Sequence, residues 1–217
     1  MPRRDEATET LRRRACRQHI PLLRAEEESA FTAAVRAAQP RRILEIGTGV
    51  GYSAWLMAAC APDATIVTVE SLASRYAEAR RNLAPLGERV RILYGEADEI
   101  LPCLTDTFDL LYLDGPKGHY LAHLRMIEPR LTPDATVIAD NVLFRGYVQG
   151  GVRIPRRMRT IATRMRAFWR ISATRHAIRR QSNIRGTDSP YRNGKERDER
   201  IGIDGAGGQS GKVAVCL

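Results

Sequence analysis

Oxygen-bearing side chains follow two apolar runs of the sequence, at the points where those runs end. Asp114 follows the run LLYL, and Asp140 and Asn141 follow the run VIA. The carboxyl ends of parallel strands meet at one edge of a sheet, where the ligands of such sheets bind. Carboxylate and amide oxygens are the ligands that hard divalent cations prefer. The pattern therefore predicts a site for Mg²⁺ or another divalent cation, although a plain turn after the strand would also account for Asp140 and Asn141.

Basic side chains lie close to the first of these carboxylates. Lys117 follows Asp114 by three residues, so a cation held there would favour its neutral amine and make it a candidate general base. We therefore assign Lys117 and Asp114 as candidate catalytic residues. His119 and His123 have the spacing of one helix face, but the sequence shows no third ligand beside them, which favours packing over a metal site.

A glycine-rich turn follows the first apolar run and is the candidate cofactor site. Glycines at 47, 49 and 51 let the backbone approach a ligand closely. Gly47 and Gly49, together with Glu45 just before the turn, are therefore candidate cofactor-binding residues. Glu70 ends the next run, where an acidic residue binds ribose hydroxyls. A dinucleotide fingerprint has the spacing G-x-G-x-x-G, so these residues alone leave the kind of nucleotide cofactor open.

Alternating elements must position these groups. From about residue 41, short β-branched runs alternate with segments of helical length, which predicts a Rossmann-like α/β fold, a mostly parallel sheet with helices on both faces. The predicted strands cover 43–47, 65–70, 89–95, 108–114 and 135–141, and each is nearly continuously apolar, as strands covered on both faces should be. Helices are predicted over 24–39 and 155–169.

Positive charge is concentrated in the last third of the chain. The 217 residues carry a net charge of +10, yet residues 1–150 hold 19 basic and 20 acidic side chains, whereas residues 151–217 hold 16 and 5. We expect a catalytic domain over 1–169 and a basic, disordered tail over 170–217, because the tail has too few apolar residues to form a core.

The composition also points to a compartment. Four cysteines are scattered without a C-x-x-C pair, which is typical of free thiols in a reducing environment. No apolar stretch follows the charged N-terminus, so we expect neither a secretory signal nor a membrane anchor. A cytoplasmic protein without membrane association is the expectation.

Four segments together carry a family resemblance: LEIGTGVGYSA, VTVES, LLYLDGPKGHY and VIADNVLFRGYV. Over residues 18–169 the chain resembles the metal-dependent class I S-adenosylmethionine O-methyltransferases of the catechol and caffeoyl-CoA type. Within that group it is most similar to bacterial tRNA 5-hydroxyuridine methyltransferases, through HIPLL, DNVLFRG and the arginine-rich helix that follows. The resemblance implies a homodimer that uses S-adenosyl-L-methionine and Mg²⁺, with cofactor contacts from Leu23, Ser53, Glu70, Glu96, Ala97 and Asp114.

The chain departs from the family pattern in three places. Glu96 stands where the family usually has aspartate, and Gly115 and Pro116 precede Lys117 where the family often has Asp-Ala-x-Lys. Neither change should prevent cofactor binding. The usual C-terminal antiparallel hairpin, with its Pro-x-Gly-Asp-Gly stretch, is missing or altered after Trp169. We interpret this as a divergent end or a changed reading frame near residue 170, which translation of the coding DNA in its other frames would test.

The resemblance implies methyl transfer to an oxygen, with two classes of acceptor open. A wobble 5-hydroxyuridine in tRNA, which would become 5-methoxyuridine, needs cationic contacts to anticodon phosphates. Candidates are Arg145, Arg153, Arg156, Arg157 and Arg159, although a solvated arginine face would look the same. A small catechol-like phenol needs none. Two alternatives belong to other classes of protein: an inactive or truncated relic of the enzyme, and an RNA-binding module without turnover. A nicotinamide oxidoreductase is disfavoured, because that function gives Asp140 and Asn141 no role.

Overall fold

The structure, a computed structural model, describes residues 6–17, 22–23, 25–175, 177–180 and 213–216. Within them a single parallel sheet has the strand order β3-β2-β1-β4-β5-β7-β6. Its strands are β1 (Arg42–Ile46), β2 (Thr65–Glu70), β3 (Val90–Tyr94), β4 (Phe108–Leu113), β5 (Leu131–Ala139), β6 (Ala177–Arg180) and β7 (Val213–Cys216). The helices are α1 (Glu6–Arg17), α2 (Ala25–Ala38), α3 (Tyr52–Cys60), α4 (Ala73–Leu83), α5 (Ala97–Ile100), α6 (Tyr120–Ile127) and α7 (Arg159–Arg175).

The five predicted strands are present, and the prediction of a Rossmann-like fold is confirmed. The largest difference is at β5, which begins at Leu131 instead of residue 135. Its pairing with β4 shifts register between Phe108 and Leu110, and Pro133 lies in the extra stretch of β5. A proline at a bulge costs no ladder hydrogen bond, so the strand passes through a residue that normally ends one.

The central strand β4 shows why the predicted strands read as unbroken apolar runs. Leu111 and Leu113 pack into the hydrophobic cluster that contains α6 and α7. Leu110 and Tyr112 point to the opposite face and pack into the cluster that contains α2 and α3. Both faces of the sheet are covered by helices, so consecutive residues of a strand are both buried.

The chain beyond Trp169 departs from the predicted tail. The helix predicted over 155–169 was given too early an end, because α7 continues to Arg175. Ser172, 1% exposed, lies on the face that buries Met165 and Phe168, and this polar residue hid the continuation of the helix.

Two short strands also lie within the region predicted to be tail. β7 pairs with β5, and β6 pairs with β7, so the edge of β5 is covered. Both pairings are parallel, and the described residues contain no antiparallel hairpin. Residues 181–212, which make up most of the predicted tail, lie outside the described residues. No helix that the structure describes is long and apolar enough to cross a bilayer.

Replacing Leu111 with alanine should destabilise the fold strongly. Leu111 is 0% exposed on the central strand, and the lost contacts and the cavity should lower the free energy of unfolding by about 2–5 kcal/mol. Leu72→Ala is the matched control, because Leu72 is 50% exposed and should change it by less than about 0.5 kcal/mol. Urea unfolding followed by circular dichroism measures both, and equal effects would contradict the assignment of the core.

Candidate cofactor and metal site

The carboxyl ends of β1, β2, β3, β4 and β5 converge on one cavity of about 740 Å³. Parallel strands present these ends at the same edge, so residues far apart in sequence meet there. The cavity wall contains the three predicted metal ligands, Asp114, Asp140 and Asn141. It also contains eight of the nine predicted cofactor-binding residues, namely Leu23, Gly47, Gly49, Ser53, Glu70, Glu96, Ala97 and Asp114.

The glycine turn after β1 requires glycine at its first position. Gly47 has a φ of 102°, and a Cβ atom there would lie 2.6 Å from the backbone oxygen of Asp114. A side chain at this position would therefore push apart the ends of β1 and β4. Its absence keeps the turn in contact with the candidate metal ligand.

Glu70 fixes the conformation of the turn from the neighbouring strand. Its Oε2 accepts a hydrogen bond from the Gly49 N–H at 2.8 Å, and its Oε1 accepts one from the Leu72 N–H at 2.9 Å. Charge-assisted hydrogen bonds of this kind are stronger than neutral ones. The carboxylate predicted to bind a ribose thus also ties β2 to the turn, a role the sequence did not reveal.

Glu45 is the predicted cofactor residue that does not line the cavity. It is 0% exposed beneath the turn, where it accepts hydrogen bonds from the hydroxyls of Ser53 and Thr68. Burial raises its pKa to about 7, and the two hydroxyl hydrogen bonds oppose that rise. Any effect of Glu45 on a ligand must pass through Ser53, which does line the cavity.

Asp114 and Asp140 place two carboxyl groups side by side in a mostly buried position. Burial raises the pKa of Asp114 to about 8, and the charge of Asp140 adds to the rise. Burial also raises the pKa of Asp140, against the opposing charge of Lys117. Asp140 Oδ1 is buried and has no hydrogen-bond partner among the described residues. Two such carboxylates repel each other unless a proton or a cation lies between them.

Asn141 completes this edge by ending β5 in a left-handed conformation. Its φ of 56° suits asparagine better than most residues, and its backbone oxygen accepts a hydrogen bond from the Phe144 N–H at 3.1 Å. Lys117 approaches from the other side, with Nζ 3.7 Å from Asp140 Oδ2 and 5.8 Å from the centre of the Tyr120 ring. Lys117 is not itself in the cavity wall.

The cavity wall also contains a group that the sequence alone showed as incomplete. His119 and His123 lie beside Asp98, and all three line the cavity next to Glu96 and Ala97. His123 is buried, whereas the side chains of Asp98 and His119 are about half exposed. Asp98 lies 21 residues before His119 in the chain, so only the fold could bring it to the histidines.

Sequence reasoning also missed residues from the N-terminal helices. Glu27 lines the cavity, is 8% exposed, and its charge contributes to the raised pKa of Asp140. Arg12 on α1 donates hydrogen bonds to Glu28 Oε2 at 2.7 Å and to the Tyr52 hydroxyl at 3.2 Å. Tyr52 lines the cavity, so this network ties α1 and α2 to the cavity wall. The run of three glutamates at 26–28 is the sequence feature that could have indicated these residues.

The segment after Asn141 carries the five arginines predicted to bind RNA. All five side chains are exposed: Arg145, Arg153, Arg156, Arg157 and Arg159. Arg145 has a φ of 58° in the loop that follows β5, and Arg156 and Arg157 lie in the turn that begins α7. The arginines therefore lie on the chain segment that leaves the candidate metal site.

Comparisons with known proteins agree with this architecture. Residues 44–142 match the family model described as a methyltransferase domain. A probable O-methyltransferase of Mycobacterium tuberculosis is 36% identical over 134 residues, which is 56% of this chain and 58% of that protein. A catechol O-methyltransferase of the same organism is 35% identical over 116 residues, 52% of this chain and 53% of that protein. The chain thus spans little more than half the length of these curated relatives.

Solved structures extend the likeness over more of the chain. The O-methyltransferase TomG from Streptomyces achromogenes, solved in complex with SAM, has a TM-score of 0.67 and 29% sequence identity. The match covers 80% of each chain. The chain therefore has the Rossmann-like methyltransferase fold, and the proteins it resembles are O-methyltransferases.

Replacing Glu45 with glutamine should make stability depend less on pH. The pKa of Glu45 rises from 4.5 to about 7 on folding, so the folded protein binds this proton more tightly. Its contribution is complete below a pH of about 4.5 and is lost as the pH rises through about 7. Across this pH range the free energy of unfolding of the wild-type protein should therefore fall by up to roughly 3 kcal/mol more than that of the variant.

Urea unfolding of both proteins at about pH 5 and about pH 8 measures the difference. Glu88→Gln is the control, because Glu88 is exposed and should leave the wild-type pH dependence unchanged. Parallel pH profiles for wild type and Glu45→Gln would contradict the raised pKa.

Proposed function

We propose that this protein is an S-adenosylmethionine-dependent O-methyltransferase assisted by a divalent cation. The observation that carries the proposal is the meeting of Asp114, Asp140 and Asn141 in the wall of one cavity beside the glycine turn. A pocket that combines a close backbone approach, an acidic strand end and a set of oxygen ligands serves both a nucleotide-like cofactor and a hydroxyl acceptor. The O-methyltransferase names of the relatives support the same reaction class.

The cofactor would lie along the glycine turn. The backbone at Gly47 and Gly49 is open to a ligand, and Glu70 is held at the end of β2, where it can accept hydroxyl hydrogen bonds. Glu96 and Ala97, at the start of α5, also line the cavity. The SAM bound by TomG supports this choice of cofactor over a dinucleotide.

The residues at the candidate metal site fit a divalent cation. Asp140 is buried and Asp114 is half-buried beside it, and Asp140 Oδ1 is a buried oxygen with no hydrogen-bond partner in the described part of the chain. Asn141 would add a neutral oxygen, and a set of oxygen ligands of this kind suits Mg²⁺. When bound, such a cation lowers the pKa of an acceptor hydroxyl and fixes its orientation. Lys117, 3.7 Å from Asp140, is the candidate base that takes the hydroxyl proton.

Replacing Asp140 with alanine should abolish methyl transfer while sparing cofactor affinity. The variant removes a cation ligand but leaves the glycine turn and Glu70 in place, so transfer should fall by more than about 100-fold. The dissociation constant for S-adenosylmethionine should stay within about threefold of wild type. Transfer of a labelled methyl group in the presence of Mg²⁺, together with calorimetry, measures the two effects.

Asp106→Ala is the matched control for this experiment. Asp106 is an exposed aspartate paired with Arg91 at 2.6 Å, outside the cavity wall, so its loss should leave both quantities unchanged. Retained turnover in Asp140→Ala would remove the cation from the mechanism. If the wild-type protein does not bind S-adenosylmethionine at millimolar concentration, the protein is instead an inactive relic.

For the acceptor we propose a 5-hydroxyuridine at the wobble position of tRNA. The five exposed arginines on the segment that leaves Asn141 could contact anticodon phosphates while the unstacked base enters the cavity. A small catechol-like phenol is the second candidate, because one of the similar proteins is named a catechol O-methyltransferase. The candidate metal site serves both acceptors equally, since each offers two adjacent oxygens.

Salt should separate the two acceptors. Methylation of undermodified tRNA should fall steeply as salt rises, with a slope of about 0.7 in log affinity per phosphate contact, while methylation of a neutral phenol should change little. The double variant Arg156→Ala, Arg157→Ala should make the salt dependence for tRNA shallower by the equivalent of about one to two phosphate contacts.

The matched control is the double variant Arg41→Ala, Arg42→Ala. These two adjacent arginines are also exposed, but they lie at the amino end of β1, whereas the cavity lies at the carboxyl ends of the strands. The control should keep the wild-type slope. Phenol turnover with no transfer to tRNA would overturn the RNA acceptor while leaving the O-methyltransferase proposal intact.

A further inference from the structure

Two histidines and an aspartate converge on one wall of the cavity. His123 Nε2 lies 3.1 Å from Asp98 Oδ1, and His119 Nδ1 lies 3.5 Å from Asp98 Oδ2. One candidate ligand atom from each residue lies within 4.8 Å of the other two. From these contacts we infer that Asp98, His119 and His123 bind a transition-metal ion of the Zn²⁺ class, at a site separate from Asp114, Asp140 and Asn141.

The distances are close to those of a coordinated ion. Ligand atoms around a tetrahedral Zn²⁺ with bonds near 2.0–2.1 Å lie about 3.3 Å from one another. The Asp98 carboxylate approaches both histidine nitrogens at distances near this value, through Oδ1 to His123 and through Oδ2 to His119, so binding through a single oxygen requires only a small rotation of the carboxylate. The separation of the two histidine ligand atoms has to close by at most about 1.5 Å, and the half-exposed His119 ring has room to turn.

The donor set selects the class of metal. Imidazole nitrogens with one carboxylate suit Zn²⁺, Co²⁺ and Ni²⁺, whereas Mg²⁺ prefers oxygen ligands alone. Asp114, Asp140 and Asn141 offer only oxygen ligands, so the two groups of side chains favour different ions. Three protein ligands leave a fourth position on the ion open toward the cavity, which is the arrangement of a zinc site that accepts an exogenous ligand.

His123 is the anchor of the proposed site. Its side chain is 3% exposed and held against Asp98, so its Nε2 has a fixed direction. The partial exposure of Asp98 and His119 gives an ion a path from solvent.

Zinc titration of the metal-stripped protein tests this site without any methyl transfer. Calorimetry with Zn²⁺ should show one equivalent that His119→Ala weakens by more than about tenfold, because a bound ion loses one of three protein ligands. Co²⁺ should give the visible absorption of a tetrahedral site in wild type and lose it in the variant. His119 is half exposed, so this variant should fold, which circular dichroism checks, and His123→Ala serves as a second variant.

Two controls separate this site from the candidate hard-cation site and from surface binding. Asp140→Ala should keep the zinc equivalent that His119→Ala loses, and Asp106→Asn should keep the wild-type affinity, because Asp106 lies outside the cavity wall. Equal zinc affinity in wild type and His119→Ala would overturn the inference. Loss of the zinc equivalent in Asp140→Ala alone would also overturn the inference, because it would assign the ion to Asp114, Asp140 and Asn141. Neither result depends on catalytic activity.

Discussion

The burial of two carboxyl groups side by side is the main physical constraint on this structure. Asp114 and Asp140 directly follow two neighbouring strands, β4 and β5, and removing both carboxyl groups from water while they repel each other costs free energy. The protein meets this cost by holding a proton between the groups, by the ammonium of Lys117, or by a cation. A site of this kind is kept at the expense of stability, which is typical of residues that serve chemistry.

The surrounding elements can be understood as supports for that edge of the sheet. The glycine turn presses against the backbone of Asp114, Glu70 holds the turn from β2, and Glu45 holds Ser53 from below. α1 and α2 close the cavity through the contacts among Arg12, Glu28 and Tyr52. Each support comes from a different part of the chain, so the cavity exists only when the sheet and its helices are assembled.

Much of the fold was predictable, because buried parallel strands leave continuous apolar runs and their ends carry the polar residues. The candidate metal ligands and the glycine turn, which line one cavity, were predicted in this way. Asp98 and Glu27 were missed because their significance comes from neighbours distant in sequence, with no local spacing to reveal them. The end of α7 was missed because Ser172 occupies a buried position that hydrophobic periodicity does not detect.

Positive φ angles recur in the loop after β5, at Asn141, Phe144 and Arg145. Side chains other than glycine lose roughly 1 kcal/mol or more in this conformation, so packing must hold the loop in place. Val142 and Val148, both buried, provide that anchorage. A loop of this kind has its shape before any ligand binds. Contacts that it makes would therefore cost little chain entropy, but such a loop would adapt poorly to ligands of another shape.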